Sequence, residues 1–124
     1  MKREIKFRVW DSHNKLWLNP DIFTIGCNDG NVRNKSSLGI IGGVEIEQYT
    51  GLKDKNGKEI YESDICSVGE MWYGDTLDNP FKGIVEYDDG EYGVVDKETN
   101  QYINLDSSTI ANGNIEIIGN IHEN

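Results

Sequence analysis

The sequence predicts a mainly β protein, in which small, bent antiparallel strands form an SH3-like or related small barrel with an N-terminal β-hairpin lobe and little helix. Three observations support this fold class. Apolar and polar residues alternate in short runs, as in strands with one buried face. Gly, Asn and Asp separate these runs. No stretch repeats apolar residues at the helical spacing over the roughly 11 residues that would indicate a long helix.

The predicted strands are short and lie between turn-forming residues. The first shows the pattern clearly, because Ile5, Phe7 and Val9 alternate with charged residues. The loop 11–15 then leads into residues 16–18, which predicts a hairpin that ends before Pro20. Further strands are predicted at residues 21–26, 44–50, 59–61, 65–68, 83–87, 92–95, 102–105 and 115–121.

Three other segments complete the predicted fold. Residues 33–43 are rich in glycine, have the least regular composition and are expected to form a mobile loop. Residues 69–82 are expected to form a second loop. Residues 107–111 predict one helical turn, with Ser107 or Ser108 as its N-cap.

Length and cysteine usage limit the class of protein. At 124 residues the chain is expected to be one domain (1–124) with two lobes at most, an N-terminal hairpin lobe (1–58) and a small β-barrel (59–124). Cys27 and Cys66 form no disulfide framework, which favours reduced thiols. The N-terminus lacks the apolar core of a signal peptide, and no apolar run approaches the roughly 20 residues of a membrane helix. We therefore expect a soluble, cytoplasmic protein.

The charge is distributed unevenly along the chain. The net charge of −10 argues against a general affinity for nucleic acid or anionic membranes. Residues 1–58 hold ten Lys and Arg against seven Asp and Glu, and residues 59–124 hold two against fifteen, so the halves carry +3 and −13. This asymmetry favours a head-to-tail or inter-subunit contact. The alternative is that acidic turns in the second half only keep it soluble.

Three segments carry a family resemblance. They are REIKFRVWD (Arg3–Asp11), YTGLKDKNGKEIYESDI (Tyr49–Ile65) and IEIIGNIHEN (Ile115–Asn124). In this order they resemble the YopX family, which comprises phage and prophage proteins of Gram-positive bacteria. Ser63 stands where the family usually has Gly, and His122 stands where it tends to have Tyr. The resemblance implies a mainly β fold and self-association, and it implies no catalytic residues.

The residues themselves predict no catalytic, cofactor or metal site. His13 and His122 have only Asp11 and Glu123 as neighbouring acids, and neither pair is a recognised ligand motif. Carboxylates that lie side by side in a turn, as in 88–91, do not make the converging cleft of a glycosidase or metal site.

Weaker candidates for reactive or ligand-binding sites have simpler explanations. Weak divalent-ion binding at Asp75 and Asp78 is an open hypothesis, although the spacing matches no EF-hand loop. Asp64 is expected to anchor a tight turn by accepting backbone N–H bonds. Cys66 fits a small buried hydrophobe in a strand. The glycines of 39–43 lack the Lys-Ser/Thr ending of a phosphate loop.

Aromatic residues predict a contact surface. Trp10 and Trp17 alternate with the apolar residues of the first hairpin and are expected beside Lys6 and Arg8 if they face outward. Exposed Trp beside Arg is typical of protein interfaces and of single-strand stacking platforms. Burial of both tryptophans is the alternative. The candidate interface comprises Trp10, Trp17, Trp72 and Tyr73.

These observations favour a non-enzymatic accessory protein that acts through self-association and protein binding, as a homo-oligomer with a host or phage protein as a further partner. One alternative is a nucleic-acid-binding small barrel. Its candidate basic stripe is Lys2, Arg3, Lys6, Arg8 and Lys15. Another is an acidic DNA-mimic decoy, whose second half occupies the DNA groove of a host protein. No assembled set of residues supports an enzyme.

Overall fold

The computed structural model describes residues 4–73 and 76–123, and it describes residues 71–73 and 76–78 by their backbone alone. The chain forms two compact units. The N-terminal unit is Lys6–Gln48, and the barrel unit is Tyr49–Asn124 together with the residues before Lys6. The boundary thus lies after Gln48, whereas the sequence suggested residue 58.

The N-terminal unit consists of short antiparallel strands. They are β1 (Phe7–Asp11), β2 (Leu16–Trp17), β3 (Phe23–Ile25), β4 (Val32–Asn34) and the first half of β5 (Val44–Lys53). β1 pairs with both β2 and β5, and β3 pairs with β4. Val9, Phe23 and Val32 form the centre of a small core. Of the three alternating apolar residues predicted to be buried, Val9 is buried, whereas Ile5 and Phe7 are 60% and 43% exposed.

Two segments of this unit differ from the sequence prediction. A 3-10 turn, Pro20–Ile22, precedes β3, and the side chain of Asn19 accepts a hydrogen bond from the Asp21 N–H at its start. Residues 33–43 were expected to form a mobile loop. Arg33 and Asn34 instead belong to β4, and residues 35–43 form turns with an isolated bridge between Arg33 and Ile40. The Asn34 N–H donates to the Gly39 carbonyl at 2.8 Å, so backbone hydrogen bonds close the segment.

The barrel unit contains most of the β structure. Its elements after β5 are β6 (Glu59–Tyr61), β7 (Asp64–Val68), β8 (Met71–Tyr73), β9 (Thr76–Asp78), β10 (Phe81–Asp88), β11 (Glu91–Asp96), β12 (Gln101–Asn104), α1 (Ser107–Ala111) and β13 (Ile115–Asn120). Five of them form one antiparallel sheet in the order β12-β11-β10-β7-β13. The sheet curls into a half-barrel, which confirms the prediction of a mainly β fold with little helix.

One face of this sheet builds the core of the barrel unit. Val94 lies opposite Val85 on one neighbouring strand and opposite Ile103 on the other. All three are buried, together with Cys66 and Ile115. Fully burying an aliphatic side chain of this size contributes about 1.5–3 kcal/mol, so this cross-strand cluster stabilises the curled sheet.

Two details of the barrel unit correct the prediction. The expected loop 69–82 contains the hairpin of β8 and β9. The helical turn exists, but its N-cap is Asp106 instead of Ser107 or Ser108. The Asp106 carboxylate accepts from the Thr109 N–H at 2.9 Å, and the Thr109 hydroxyl accepts from the Asp106 N–H at 3.0 Å. This reciprocal pair is a capping box.

Among the described residues, no helix has the length and hydropathy needed to span a bilayer.

Candidate functional site

The two tryptophans of the predicted interface are cross-strand neighbours. Trp10 lies opposite Trp17 in the β1–β2 register, and their ring centroids are 4.9 Å apart in an edge-to-face arrangement. Trp10 is only 7% exposed, whereas Trp17 is half-buried. The structure therefore brings the pair together as expected, but it leaves only Trp17 with substantial accessible surface.

Arg8 of the predicted basic stripe is engaged within the N-terminal unit. Its guanidinium carbon lies 4.3 Å from the centroid of the Trp17 ring, and its Nε donates to Glu47 Oε1 at 2.9 Å. Glu47 is 4% exposed. A buried carboxylate needs a paired cation, so Arg8 neutralises Glu47.

The other predicted surface residues are less constrained by the structure. Lys6 is half-buried, and Lys15 is exposed in the hairpin turn with a φ of 56°. Lys2 and Arg3 lie outside the described residues. Trp72 and Tyr73 belong to β8, and their side chains also lie outside the described part. The candidate interface and the basic stripe stay predictions.

Two buried acids of the barrel unit hold turns. Asp64 Oδ2 accepts from the Tyr61 N–H at 2.8 Å, which confirms its predicted anchoring role. The turn that it closes contains Ser63, whose φ of 70° lies in the left-handed region. Asp54 accepts backbone hydrogen bonds from both its own turn and β13. These hydrogen bonds compensate for the burial of the two carboxylates.

Asp11 and the backbone N–H groups of His13 and His122 take part in turns. The N–H groups of His13 and Asn14 donate to Asp11 Oδ1, and the Asn14 side chain donates to Asp11 Oδ2. These hydrogen bonds lower the pKa of Asp11, and the bond from the Asn14 side chain has the largest effect. The His122 N–H donates to Asn120 Oδ1 at 2.9 Å in the last turn.

The other reactive candidates of the sequence analysis are Cys66, Asp75 and Asp78. Cys66 is 0% exposed, and burial, followed by the Asp64 and Asp54 carboxylates, raises the pKa of its thiol to about 12. This makes it a poor nucleophile at neutral pH. Asp75 lies outside the described residues, and Asp78 is described by its backbone alone.

A continuous apolar row lies on the outer face of the barrel sheet. Val95 pairs with Ile84 on one side and Tyr102 on the other, and Ile84 pairs with Ile65. These four residues, the outer-face row, span four neighbouring strands. Tyr102 is 52% exposed, and the other three are half-buried. The outer face of an antiparallel sheet ordinarily carries polar residues, so this row is a candidate binding surface.

Two adjoining depressions follow the outer-face row, and together they form what we call the outer-face groove. The acidic depression, about 520 Å³, contains Tyr102 and four carboxylates, those of Glu86, Asp88, Asp89 and Glu91. The aliphatic depression, about 310 Å³, contains Ile65 and Ile84. Both include Val95 and Lys97. The Lys97 ammonium lies 2.9 Å from Glu86 Oε1, so this ion pair stands where the two depressions meet.

Tyr102 is held in place by a glycine and a hydrogen bond. A Cβ atom at Gly93 would lie 2.4 Å from Tyr102 Cε2, which shows that the ring lies directly against the glycine. The Tyr102 hydroxyl donates to Asn104 Oδ1. Burial and then the Glu91 and Asp88 carboxylates raise the pKa of Tyr102, as expected for a phenol in a negative environment.

The sequence analysis did not identify this groove, although a signal for it exists. Ile84-Val85 and Val94-Val95 are consecutive apolar pairs on central strands. Because successive side chains point to opposite faces of a sheet, such a pair places one apolar residue on each face. The pairs therefore indicate an apolar outer face as well as an apolar core.

Comparisons with known proteins identify a family for this chain. The family model described as YopX protein matches residues 6–124. The crystal structure of protein EF1440 from Enterococcus faecalis is 27% identical, with a TM-score of 0.57 over 99% of this chain and 96% of that chain. YopX from Bacillus subtilis is 18% identical, with a TM-score of 0.58 over 95% of this chain and 93% of that chain, and it shares the fold. No curated protein matches the chain. Since the family model matches nearly the whole sequence, the chain belongs to the YopX family.

Proposed function

We propose that the protein is a non-enzymatic phage or prophage accessory protein that binds another protein in the host cytoplasm through the outer face of its barrel sheet. The observation that carries this proposal is the outer-face row, in which Ile65, Ile84, Val95 and Tyr102 cross four strands without a polar interruption. At about 4.8 Å between strands, the row is about 14 Å long.

The chemistry of the row supports protein binding. Covering partly exposed apolar side chains stabilises a complex by about 25 cal/mol for each Å² removed from water. Tyrosine is enriched at protein interfaces, because its ring is apolar and rigid while its hydroxyl still forms hydrogen bonds. Tyr102 is also fixed against Gly93, so little side-chain entropy is lost when a partner contacts it.

The test compares two lysine substitutions on the same unit. Val95→Lys places a charge in the outer-face row, whereas Ile118→Lys changes another exposed apolar residue, one that is 49% exposed on β13. Tagged proteins are used to capture partners from a lysate of a Gram-positive bacterium. We expect the wild type and Ile118→Lys to retain the same protein and Val95→Lys to lose it. Equal retention by all three, or no protein retained by the wild type, contradicts the proposal.

Self-association is a second candidate function, and a patch on the N-terminal unit favours it. Ile22, Leu38 and Ile40 are 45%, 67% and 63% exposed. They belong to adjoining segments, because the Lys35 N–H donates to the Ile22 carbonyl. We expect light scattering after gel filtration to give a mass above one chain, and a Leu38→Lys, Ile40→Lys double variant to lower it. A single-chain mass at high protein concentration contradicts this candidate.

Nucleic-acid binding and the acidic decoy differ in their support. Nucleic-acid binding loses support from the basic stripe, because Arg8 is paired with buried Glu47. An acidic decoy is supported by the charge of residues 49–124, which hold five Lys and Arg against sixteen Asp and Glu, a net charge of −11. A host DNA-binding protein captured through the outer face would favour the decoy.

A further inference from the structure

We propose that the outer-face groove takes a basic, extended segment of a partner protein, and that Lys97 occupies the groove in the free protein in place of the partner's cation. This inference rests on the proposed function and specifies the chemistry of the partner. The length of the apolar row, the charges that border it and the position of Lys97 support it.

The length of the row suits an extended segment. An extended chain rises about 3.3 Å per residue, so four to five residues cover the roughly 14 Å that the four strands span. Val95 belongs to both depressions, which makes the apolar floor continuous from Ile65 to Tyr102. A short extended segment can therefore place its apolar side chains on this floor.

The charges at the groove specify a basic segment. The acidic depression has four carboxylates, and Lys97 is the only cation among the described residues that line it. A lysine or arginine of the partner would therefore face an excess of negative charge. Electrostatic complementarity of this kind raises association rates and excludes acidic partners.

In the free protein, the Lys97 ammonium takes the position that we propose for a cation of the partner. Its side chain is 73% exposed, and its ammonium lies 2.9 Å from Glu86 Oε1. Exposed ion pairs of this kind contribute little to stability, so a partner's cation can replace Lys97 at Glu86. When Lys97 moves away, the acidic and aliphatic depressions become one open groove, because Lys97 borders both.

The test uses fluorescence anisotropy with the full chain and two labelled eight-residue peptides. One alternates lysine with isoleucine, and the other alternates glutamate with isoleucine. We expect the lysine peptide to bind more tightly than the glutamate peptide, and its affinity to fall as salt rises. Lys97→Met keeps the apolar stem and removes the competing ammonium, so the lysine peptide should bind about two- to fivefold more tightly.

Matched charge variants locate the binding site. Glu91→Gln removes a carboxylate of the acidic depression, whereas Glu70→Gln removes an exposed one of the same unit that does not line the groove. Glu91→Gln should weaken binding of the lysine peptide by about two- to fivefold, and Glu70→Gln should leave it unchanged. Circular dichroism and thermal unfolding establish that each variant is folded.

The outcomes separate this inference from the proposed function. Equal binding of both peptides, or no gain in affinity for Lys97→Met, overturns the inference. If Val95→Lys still loses the captured protein in that case, the outer face binds a partner of different chemistry and the proposed function stands. If Val95→Lys retains the captured protein, the proposed function itself fails.

Discussion

The Asp54 carboxylate is joined to the backbone of Ile117, 63 residues away in sequence, by a 2.9 Å hydrogen bond from the Ile117 N–H to Asp54 Oδ2. Asp54 Oδ1 accepts from the N–H groups of Asn56 and Lys58, both at 2.9 Å. The Lys55 N–H donates to the Ile115 carbonyl at 3.0 Å. One side chain therefore shapes the turn between β5 and β6 and also covers the edge of β13.

Asp54→Asn should lower the free energy of unfolding by about 2–3 kcal/mol, because an amide cannot accept hydrogen bonds at both of its terminal atoms and leaves a buried N–H without its acceptor. Urea unfolding at pH 7 measures the loss. Asp88→Asn, an exposed change of the same chemistry, should stay within about 0.5 kcal/mol of the wild type. Similar urea midpoints for the two variants would show that the Asp54 contacts are dispensable.

The contribution of Asp54 should also depend on pH. Burial raises the pKa of Asp54, but the hydrogen bonds from Ile117, Lys58 and Asn56 outweigh it and hold this pKa below 3.8. Because the folded pKa is the lower one, the carboxylate stabilises the folded state above about pH 4, and this contribution is lost as pH falls further. The stability gap between wild type and Asp54→Asn should be constant from pH 7 to 5 and narrow below about pH 4. A gap that widens on acidification is the opposite result.

Ser63→Gly should stabilise the protein by about 0.5–1 kcal/mol. Ser63 has a φ of 70°, a conformation that costs a residue with a Cβ atom about 1–2 kcal/mol. Glycine removes this cost, but its greater flexibility in the unfolded chain offsets part of the gain in stability. Ser67→Gly on β7 is the control and should destabilise, because that strand gains nothing from glycine. Thermal unfolding compares both with the wild type, and a lower midpoint for Ser63→Gly would contradict the strain.

Gly93→Ala should lower the free energy of unfolding less than Gly83→Ala does, and only the loss from Gly93→Ala should depend on Tyr102. A Cβ at Gly83 would lie 2.7 Å from the Val95 backbone, which cannot move without breaking the sheet, whereas a Cβ at Gly93 mainly meets the Tyr102 ring. We expect Gly93→Ala to cost about 1–3 kcal/mol and Gly83→Ala to cost more. Tyr102→Ala should reduce the cost of Gly93→Ala and leave that of Gly83→Ala unchanged. A double-mutant cycle that shows no coupling between positions 93 and 102 would refute the close contact.

The two thiols should differ strongly in reactivity. Cys27 is exposed, whereas Cys66 is buried and its pKa is raised to about 12. A thiol-reactive chromophore at pH 8 should label one thiol per folded chain and two in denaturant. Cys27→Ser should abolish labelling of the folded protein. Rapid labelling of folded Cys27→Ser would place Cys66 outside the core.

The strands were predictable where apolar and polar residues alternate, as in β1, but this alternation did not predict burial. In β1 the consecutive residues Val9, Trp10 and Asp11 are buried, and Phe7 is exposed. β4 was missed because its residues, Val32–Asn34, adjoin a glycine-rich stretch whose backbone pairing depends on tertiary contacts. The hairpin of β8 and β9 was missed because Gly and Asp around it indicated a loop. The cap of α1 was misplaced by one or two residues because Ser and Asp are both good N-caps.

The candidate site was predictable only in part. Pairing of Trp10 with Trp17 follows from the hairpin, but the exposure of each ring depends on what covers that face, which local sequence does not contain. The outer-face row needed the register of four strands, since Ile65, Ile84 and Val95 are far apart in sequence and become neighbours only when the sheet forms.

The pairing of β7 with β13 has a consequence for biosynthesis. β7 ends at Val68, yet one of its two partners is β13, which begins only at Ile115. While the chain emerges from the ribosome, that side of β7 lacks its partner until β13 has been synthesised. A premature stop codon just before Ile115 would therefore leave β7 with an open edge, the kind of exposed template that promotes aggregation.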